Sequence, residues 1–323
     1  MKTLHIVPEL NVANGVYVVA RLLAREGGDA EVVGLDEGLR RIGEADVDEV
    51  WVHGMWLPKE WAICRRVIKA GKRLVRMTHG SLSPVYLKNQ SPIKKWLVGP
   101  IERHWLRKAD RIVATCDAEK EWIEAYLGKR CPEIVVEDIK RFFDFSRKER
   151  KDRKENEGNG SKQEIGNKKL NVLYLGRRHP LKGVEYLEKA VKELRVRSQG
   201  LVVSEDGPSN SKLETINTKH ETRDIELKIV SNASGEELEK VWEWCDVLVL
   251  PTLSENFGLV VAEALERGKR VITTDGAPAW EELGVSDQGV GVREDELVYL
   301  KGYRDGSDEE RIRLLKDALM MMV

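Results

Sequence analysis

No apolar run in this 323-residue chain approaches the roughly 20 residues that a membrane-spanning helix needs. The opening residues, MKTLHIVPEL, lack the apolar centre and small-residue cleavage site of a secretory leader and read as a strand. Cysteine is scarce: Cys64, Cys116, Cys131 and Cys245 are the whole complement. None forms a C-x-x-C pair, and no histidine stands beside one at metal-ligand spacing. That argues against disulfides or zinc and predicts buried free thiols in a reducing compartment. Net charge is missing too. The 54 Lys and Arg against 55 Asp and Glu leave a formal charge of -1, so nothing draws the whole surface to nucleic acid. An anionic partner must be met by local clusters. No carboxylate cluster marks a divalent-cation site, and no short period repeats. The expectation is a cytoplasmic protein without a resident metal or cofactor.

What is present is alternation. TLHIV (3–7), EVVGL (31–35), EVWVH (49–53), RLVRMT (73–78) and RIVAT (111–115) are short and rich in β-branched residues, with helical patterns at 16–26 and 61–71 between them. Strand, helix, strand, repeated, predicts parallel sheets with crossover helices. The pattern stops at 146–169, a charged stretch holding one isoleucine, too polar to offset its ordering entropy. Acidic residues interrupt its lysines and arginines, which fits a solvated spacer better than a nucleic-acid arm. Strand-like runs resume at 170–176, 200–205, 226–230, 246–250 and 269–274. Helices are expected over 182–195 and over 236–245, the latter opened by a Ser234–Glu237 capping box.

The length suits two domains. The fold expected is α/β, with two Rossmann-like domains facing across a cleft. Residues 1–145 form the first, 146–169 the linker, 170–306 the second, and 307–323 a terminal amphipathic helix. In open parallel sheets, ligands bind beyond the carboxyl ends of the strands.

The segment DVLVLPTLSENFGLVVAEALERGKRVITT carries the most chemistry. A buried strand runs into Pro251 and a polar turn holding Glu255, Asn256 and Phe257. Gly258 then opens a helix that Gly268 closes. Free backbone N–H groups at such a helix start suit an anion, and a glycine there permits close approach of a phosphate. Glu263 is a lone carboxylate among Leu259, Val260, Val261, Ala262, Ala264 and Leu265, and so asks for a partner.

The spacing of Glu255 and Glu263 within S-E-N-F-G-L-V-V-A-E-A-L resembles the paired-glutamate motif of the retaining glycosyltransferases of family four, which have the two-Rossmann GT-B fold. That resemblance implies a nucleotide-diphosphate sugar as donor. Glu263 would accept hydrogen bonds from the ribose hydroxyls, and Glu255 would reach the transferred sugar. The backbone at Phe257, Gly258 and Leu259 would hold sugar hydroxyls and phosphate. LGRRHPLKGVEYL (175–187) resembles the family's turn in which an arginine and a lysine grip the diphosphate, here Arg177 and Lys182, with Arg178 as fallback. A departing nucleoside diphosphate needs fixed cations, and a lysine is disfavoured at a helix start unless a ligand wants it. SEDGPSNSKLE (204–214) resembles the G-D-G-P turn, keeping Gly207 and Pro208 but carrying Glu205 where glycine is usual. DGAPAWEEL (275–283) resembles a small-residue structural turn.

In the first half, NVANGVYVVARLLA (11–24) resembles the family's glycine turn near the donor phosphates, with Asn14-Gly15 in place of a glycine pair. His53-Gly54 and His79-Gly80 each end a strand. His79, followed by SLSPVYLK, resembles the acceptor-side motif and is preferred as the contact to donor or acceptor hydroxyls. The resemblance leans toward lipopolysaccharide and capsule-type members. It implies hexose transfer, with retention and without a metal, to a glycan or lipid-linked acceptor. The rivals are a nucleotide-sugar epimerase or a pyridoxal-dependent phosphorylase on the same fold, and a non-catalytic partner subunit. EIVVEDIKRFF (133–143), which replaces the family's usual turn, is the feature favouring the last.

One cluster stays outside this scheme. Leu97, Ile101 and Trp105 recur every four residues among Lys94, Lys95, Arg103, Arg107 and Lys108. The plain expectation is a core helix with a solvated basic face. The sharper one is peripheral contact with an anionic membrane that carries the acceptor.

Overall fold

A computed structural model describes residues 1–11, 14–145, 169–198, 224–231, 233–281 and 296–322. The charged stretch 146–168, the expected strand 200–205 and Gly207 lie outside these residues.

Two parallel sheets form the frame. The first contains β1 (Lys2–Val7), β2 (Ala30–Gly34), β3 (Val47–His53), β4 (Arg73–Met77), β5 (Arg111–Ala114) and β6 (Glu133–Val136), in the order β2-β1-β3-β4-β5-β6. The second, among the described residues, contains β7 (Leu170–Leu175), β8 (Ile225–Val230), β9 (Val247–Val249), β10 (Arg270–Thr274) and β11 (Leu297–Leu300), in the order β11-β10-β9-β7-β8. The inner strands read as continuous apolar runs because helices cover both faces. Val50, Val52, Leu74 and Val75 in the first sheet, and Val172, Leu173, Val247 and Leu248 in the second, are fully buried. The sequence reading missed β6 and β11, four-residue edge strands with little pattern of their own.

Strand order reverses between β1 and β3 and again between β7 and β9. At such a switch the flanking crossovers leave on opposite faces and open a crevice at the strand ends. The loops after β1, β3 and β4 therefore meet on one side, and the loops after β7 and β9 on the other.

Three local expectations need correction. Ser234 does precede the helix Gly235–Trp244, but its side chain makes no cap hydrogen bond, so the capping box is absent. Lys182 does not start the next helix. It ends a separate 3₁₀ turn, Pro180–Lys182, and the helix begins only at Val184. Gly183 makes that break. Its φ is 62°, and a Cβ there would lie 2.1 Å from the Pro251 carbonyl oxygen. The third correction concerns residues 93–105. A π-helical turn, Lys94–Val98, leads into α5 (Gly99–Leu106), and α5 buries Gly99, Glu102 and Leu106, while of the Leu97–Ile101–Trp105 stripe Trp105 alone packs, half-buried, against the core. Ile93, Trp96, Leu97 and Ile101 are left exposed, by 68%, 80%, 67% and 40%.

The first domain also buries a charge. Arg76 on β4 is inaccessible and lies 3.4 Å from the Glu102 carboxylate, which is also inaccessible. Its guanidinium donates to the Gly54 carbonyl at 3.0 Å and approaches Cys64 Sγ at 3.0 Å. Glu60 sits close by, its carboxyl pushed up to about 7 chiefly by burial. Arg76→Met should destabilise the fold by about 3–5 kcal/mol, because it strands buried carboxylates without their cation. A urea midpoint equal to wild type would show that the cluster is not paired as described.

Candidate functional site

The two domains meet at their strand ends. Ser83 Oγ lies 2.8 Å from Ser254 Oγ, and Thr115 Oγ1 lies 2.8 Å from the Asn256 side-chain amide. Gly80 closes against the same loop: a Cβ there would come within 2.8 Å of the Asn256 Cβ, and its φ is 72°. Between the domains lies a cavity of about 400 Å³. Its walls include Gly15, His79, Arg177, Lys182, Glu255, Phe257, Gly258, Leu259 and Glu263. Every site residue expected from the sequence, save Gly207, thus borders one space.

Two helices aim their N-termini into it. α1 (Gly15–Glu26) is capped by Asn14, whose side chain accepts from the Val16 N–H at 3.0 Å. The helix Leu259–Glu266 starts from Gly258, in the left-handed conformation at φ 71°. A Cβ on Gly15 would stand 3.4 Å from Leu259, so the two helix starts nearly touch. Each contributes unpaired N–H groups and about half a positive charge.

Two cations join them. Arg177 follows β7, and its backbone oxygen accepts from the Tyr174 hydroxyl at 2.9 Å. Arg178, the fallback, is committed elsewhere, in a two-pronged pair with Glu188 at 3.1 and 2.6 Å. The turn carrying Lys182 is tied to the loop after β9. The Leu181 carbonyl accepts from the Leu253 N–H at 2.8 Å and from Thr252 Oγ1 at 3.0 Å. Lys182 Nζ is thereby held against the Glu255 carboxylate. The Glu255 N–H donates to the Gly276 carbonyl at 2.7 Å, and the Trp280 indole donates to the Phe257 carbonyl. The turn after β10 is thus a structural buttress for the glutamate loop. Glu263 differs from Glu255. Among the described residues its carboxylate takes no hydrogen bond, and burial raises its pKa above the ordinary range. It stands as an acceptor without a donor.

Opposite, His79 is one end of a histidine chain. Its Nε2 lies 2.9 Å from His53 Nδ1, and His53 Nε2 lies 2.9 Å from His5 Nδ1. His5 stacks on Trp51 at 4.9 Å. Burial holds His5 at about 4 and His79 at about 3, and pushes buried His53 well below its ordinary value, so all three are neutral at neutral pH. His79 has a left-handed backbone, φ 49°, unusual for a residue with a Cβ. Glu119 holds it there. One of its oxygens accepts from Thr78 Oγ1 and from the Gly80 N–H, both at 2.6 Å, on either side of His79. The other accepts from the Thr115 N–H and hydroxyl at 2.8 and 2.9 Å.

Two family patterns match the chain. The family described as Glycosyl transferases group 1 matches residues 155–294, and that described as Glycosyltransferase Family 4 matches residues 35–137. The chain is thus similar to the group 1 glycosyltransferases in its second half and to family four in its first. It is 27% identical over 268 residues to a D-inositol 3-phosphate glycosyltransferase of Salinispora tropica, covering 73% of this chain and 51% of that one. It is also 27% identical over 189 residues to the alpha-D-kanosaminyltransferase of Streptomyces kanamyceticus, covering 57% of this chain and 46% of that one. The chain therefore spans about half the length of these curated relatives. Among solved structures, sucrose-phosphate synthase of Thermosynechococcus elongatus superposes with a TM-score of 0.58 at 15% identity, covering 99% of this chain and 90% of that one. Anabaena HepE, solved with UDP, superposes with a TM-score of 0.54 at 16% identity, covering 100% and 92%. These likenesses show the GT-B fold.

Within this site, sequence reasoning missed His5, Glu119, Thr115 and Tyr174. Glu119 had a faint signal. It occupies the third position of the helix Asp117–Leu127, where a capping-box glutamate sits, but Cys116 stands at the N-cap where a hydroxyl would announce it. His5 had none, because its place behind His53 follows from strand order.

Proposed function

We propose that this protein transfers a hexose-type sugar from a nucleoside-diphosphate sugar to a glycan or lipid-linked acceptor, with retention, in cytoplasmic assembly of cell-surface polysaccharide such as lipopolysaccharide. One observation carries the reading. Two helix N-termini, Arg177, Lys182 and an unpartnered Glu263 surround a single cavity between the domains. The cations and helix ends suit a pyrophosphate. Glu263 suits the ribose hydroxyls, two donors for an acceptor that has none. Lys182 moves from Glu255 to the pyrophosphate when the donor binds, and Glu255 is freed for the sugar. The bond from the anomeric carbon to the phosphate oxygen breaks while the acceptor hydroxyl attacks the same face. A phosphate oxygen of the leaving group takes the hydroxyl proton. The reading assigns no step to a metal.

The test is a thermal-shift panel of uridine, guanosine and adenosine diphosphate sugars, followed by release of nucleoside diphosphate with acceptor present. The right donor at a hundredfold excess over its Kd adds about 2.7 kcal/mol of stability. Glu263→Ala should remove most of that shift while leaving the unliganded Tm near wild type. A panel with no shift, or a Glu263→Ala shift as large as wild type, defeats the proposal.

A further inference from the structure

The exposed residues of 88–108 make a surface that the transfer site does not use. Ile93 just before the π-helical turn, Trp96 and Leu97 on it and Ile101 on α5 have their apolar side chains in water. Single exposed apolar residues mean little, but a contiguous set including a tryptophan marks a binding surface. The charges around it have one sign. From Lys88 to Lys108 the chain carries Lys88, Lys94, Lys95, Arg103, Arg107 and Lys108, and its one acid, Glu102, is buried against Arg76. The same helix continues through Pro100 and His104 into a wide recess of about 750 Å³, walled also by Arg107, Lys108 and Arg130. Its one acid, Asp110, is occupied by the Leu74 N–H at 2.7 Å.

We propose that this face docks on an anionic lipid bilayer, with Trp96, Leu97, Ile93 and Ile101 at the acyl boundary and phosphate headgroups in the basic recess. Apolar side chains set among the exposed cations of one segment match the two attractions such a surface offers, area burial and electrostatics. Another protein surface would have to be both apolar and strongly acidic to match as well. The position fits too. Ser83, which bridges to Ser254 where the domains meet, also caps α4 (Pro84–Lys88), and the Lys88 carbonyl accepts from Lys95 Nζ at 3.0 Å. One helix of five residues, about 7–8 Å long, thus leads from this contact between the domains toward the docking face. A lipid-linked acceptor held in the bilayer would meet the first domain's side of the cleft.

The experiment is co-sedimentation of the full chain with vesicles of phosphatidylcholine alone and of phosphatidylcholine with phosphatidylglycerol. It needs neither donor nor acceptor, so its outcome is separate from that of the transfer proposal. Binding should appear only with the anionic lipid and weaken with salt. Trp96→Ser/Leu97→Ser and Lys94→Gln/Lys95→Gln should each lower partitioning by about tenfold or more. Arg130→Gln/Lys108→Gln reports on the recess in the same way. These side chains are exposed, save half-buried Lys94, and none belongs to the core, so circular dichroism and Tm should match wild type and a loss can be assigned to the surface. Equal sedimentation with neutral vesicles, no sedimentation at all, or wild-type binding in all three variants overturns the proposal. So does concentration-dependent dimerisation that Trp96→Ser/Leu97→Ser abolishes in a chain that ignores vesicles, which would make the face a contact between copies.

Discussion

Lys182→Ala should lower kcat/KM for sugar transfer by about 10²–10³-fold, the range seen when one fixed donor to a developing negative charge is removed. The leaving diphosphate gains charge as its bond to the sugar breaks, so a cation already in place acts more in the transition state than before it, and kcat falls along with kcat/KM. The ammonium is positioned before any ligand arrives, because Leu181 accepts two hydrogen bonds from the loop that carries Glu255. Neither neighbour is a spare. Arg178 is paired with Glu188, and Arg177 already has its own part in the proposed grip on the diphosphate. Stability should hardly change, since the Lys182 and Glu255 side chains are both 23% exposed and their pair is screened. Glu255→Gln sharpens the test by acting in opposite directions. It frees Lys182 and removes a like charge beside the phosphates, so the nucleoside diphosphate should bind more tightly, while transfer falls because the sugar loses its carboxylate. Calorimetry with the diphosphate and steady-state rates separate the two effects. Unchanged kcat/KM in Lys182→Ala would remove the diphosphate grip from the mechanism.

The sequence made one half of this site far easier to read than the other, for a physical reason. Arg177, Lys182, Glu255 and Glu263 lie within two short segments, each a strand end, a turn and a helix start, so their juxtaposition is mostly local. Only the adjacency of β7 and β9 had to be supplied by the fold. His5 lies within β1, His53 ends β3 and His79 follows β4, 74 positions from first to last, and nothing along the chain says that β1, β3 and β4 are neighbours. The Leu97–Ile101–Trp105 stripe misled for a related reason. A period of four residues predicts a buried face only if the helix is regular, and past the π-helical turn at Lys94–Val98 Leu97 and Ile101 are exposed while Trp105 still packs on the core. Gly183 has the same lesson at smaller scale. An apolar period ran through 182–195, but a left-handed residue under the Pro251 carbonyl splits Lys182 from the helix and swings it toward Glu255.

The histidine chain leads to the second large effect. Each neutral imidazole carries one N–H, and each of the two N···N contacts needs one hydrogen. Only two arrangements satisfy both contacts. All three rings carry the proton on Nδ1, or all three carry it on Nε2. His79 uses Nε2 for His53, so its Nδ1 is left for a ligand: a donor in the first arrangement, an acceptor in the second. His53, which touches no ligand, thereby fixes what His79 offers to a sugar hydroxyl. His53→Phe should lower kcat by about 10–100-fold, the usual cost of losing a partner behind a functional imidazole. KM for the donor should change little, because the diphosphate grip lies in the other domain. His53→Asn keeps an amide near the Nδ1 position and should restore much of the rate. Nitrogen-15 shifts of the imidazoles should show His79 with one fixed tautomer in wild type and a mixture in His53→Phe. The pH dependence is a further check. With burial holding His79 at about 3 and His5 at about 4, kcat/KM should show no histidine limb between pH 6 and 8. The folded pKa values lie below the unfolded value of about 6.5, so this cluster's contribution to stability is full above that pH and is lost as pH falls through 4 toward 3. A rate limb near pH 6.5 that His53→Phe leaves in place would mean that His79 titrates in water, and the chain behind it would then have no say in the reaction.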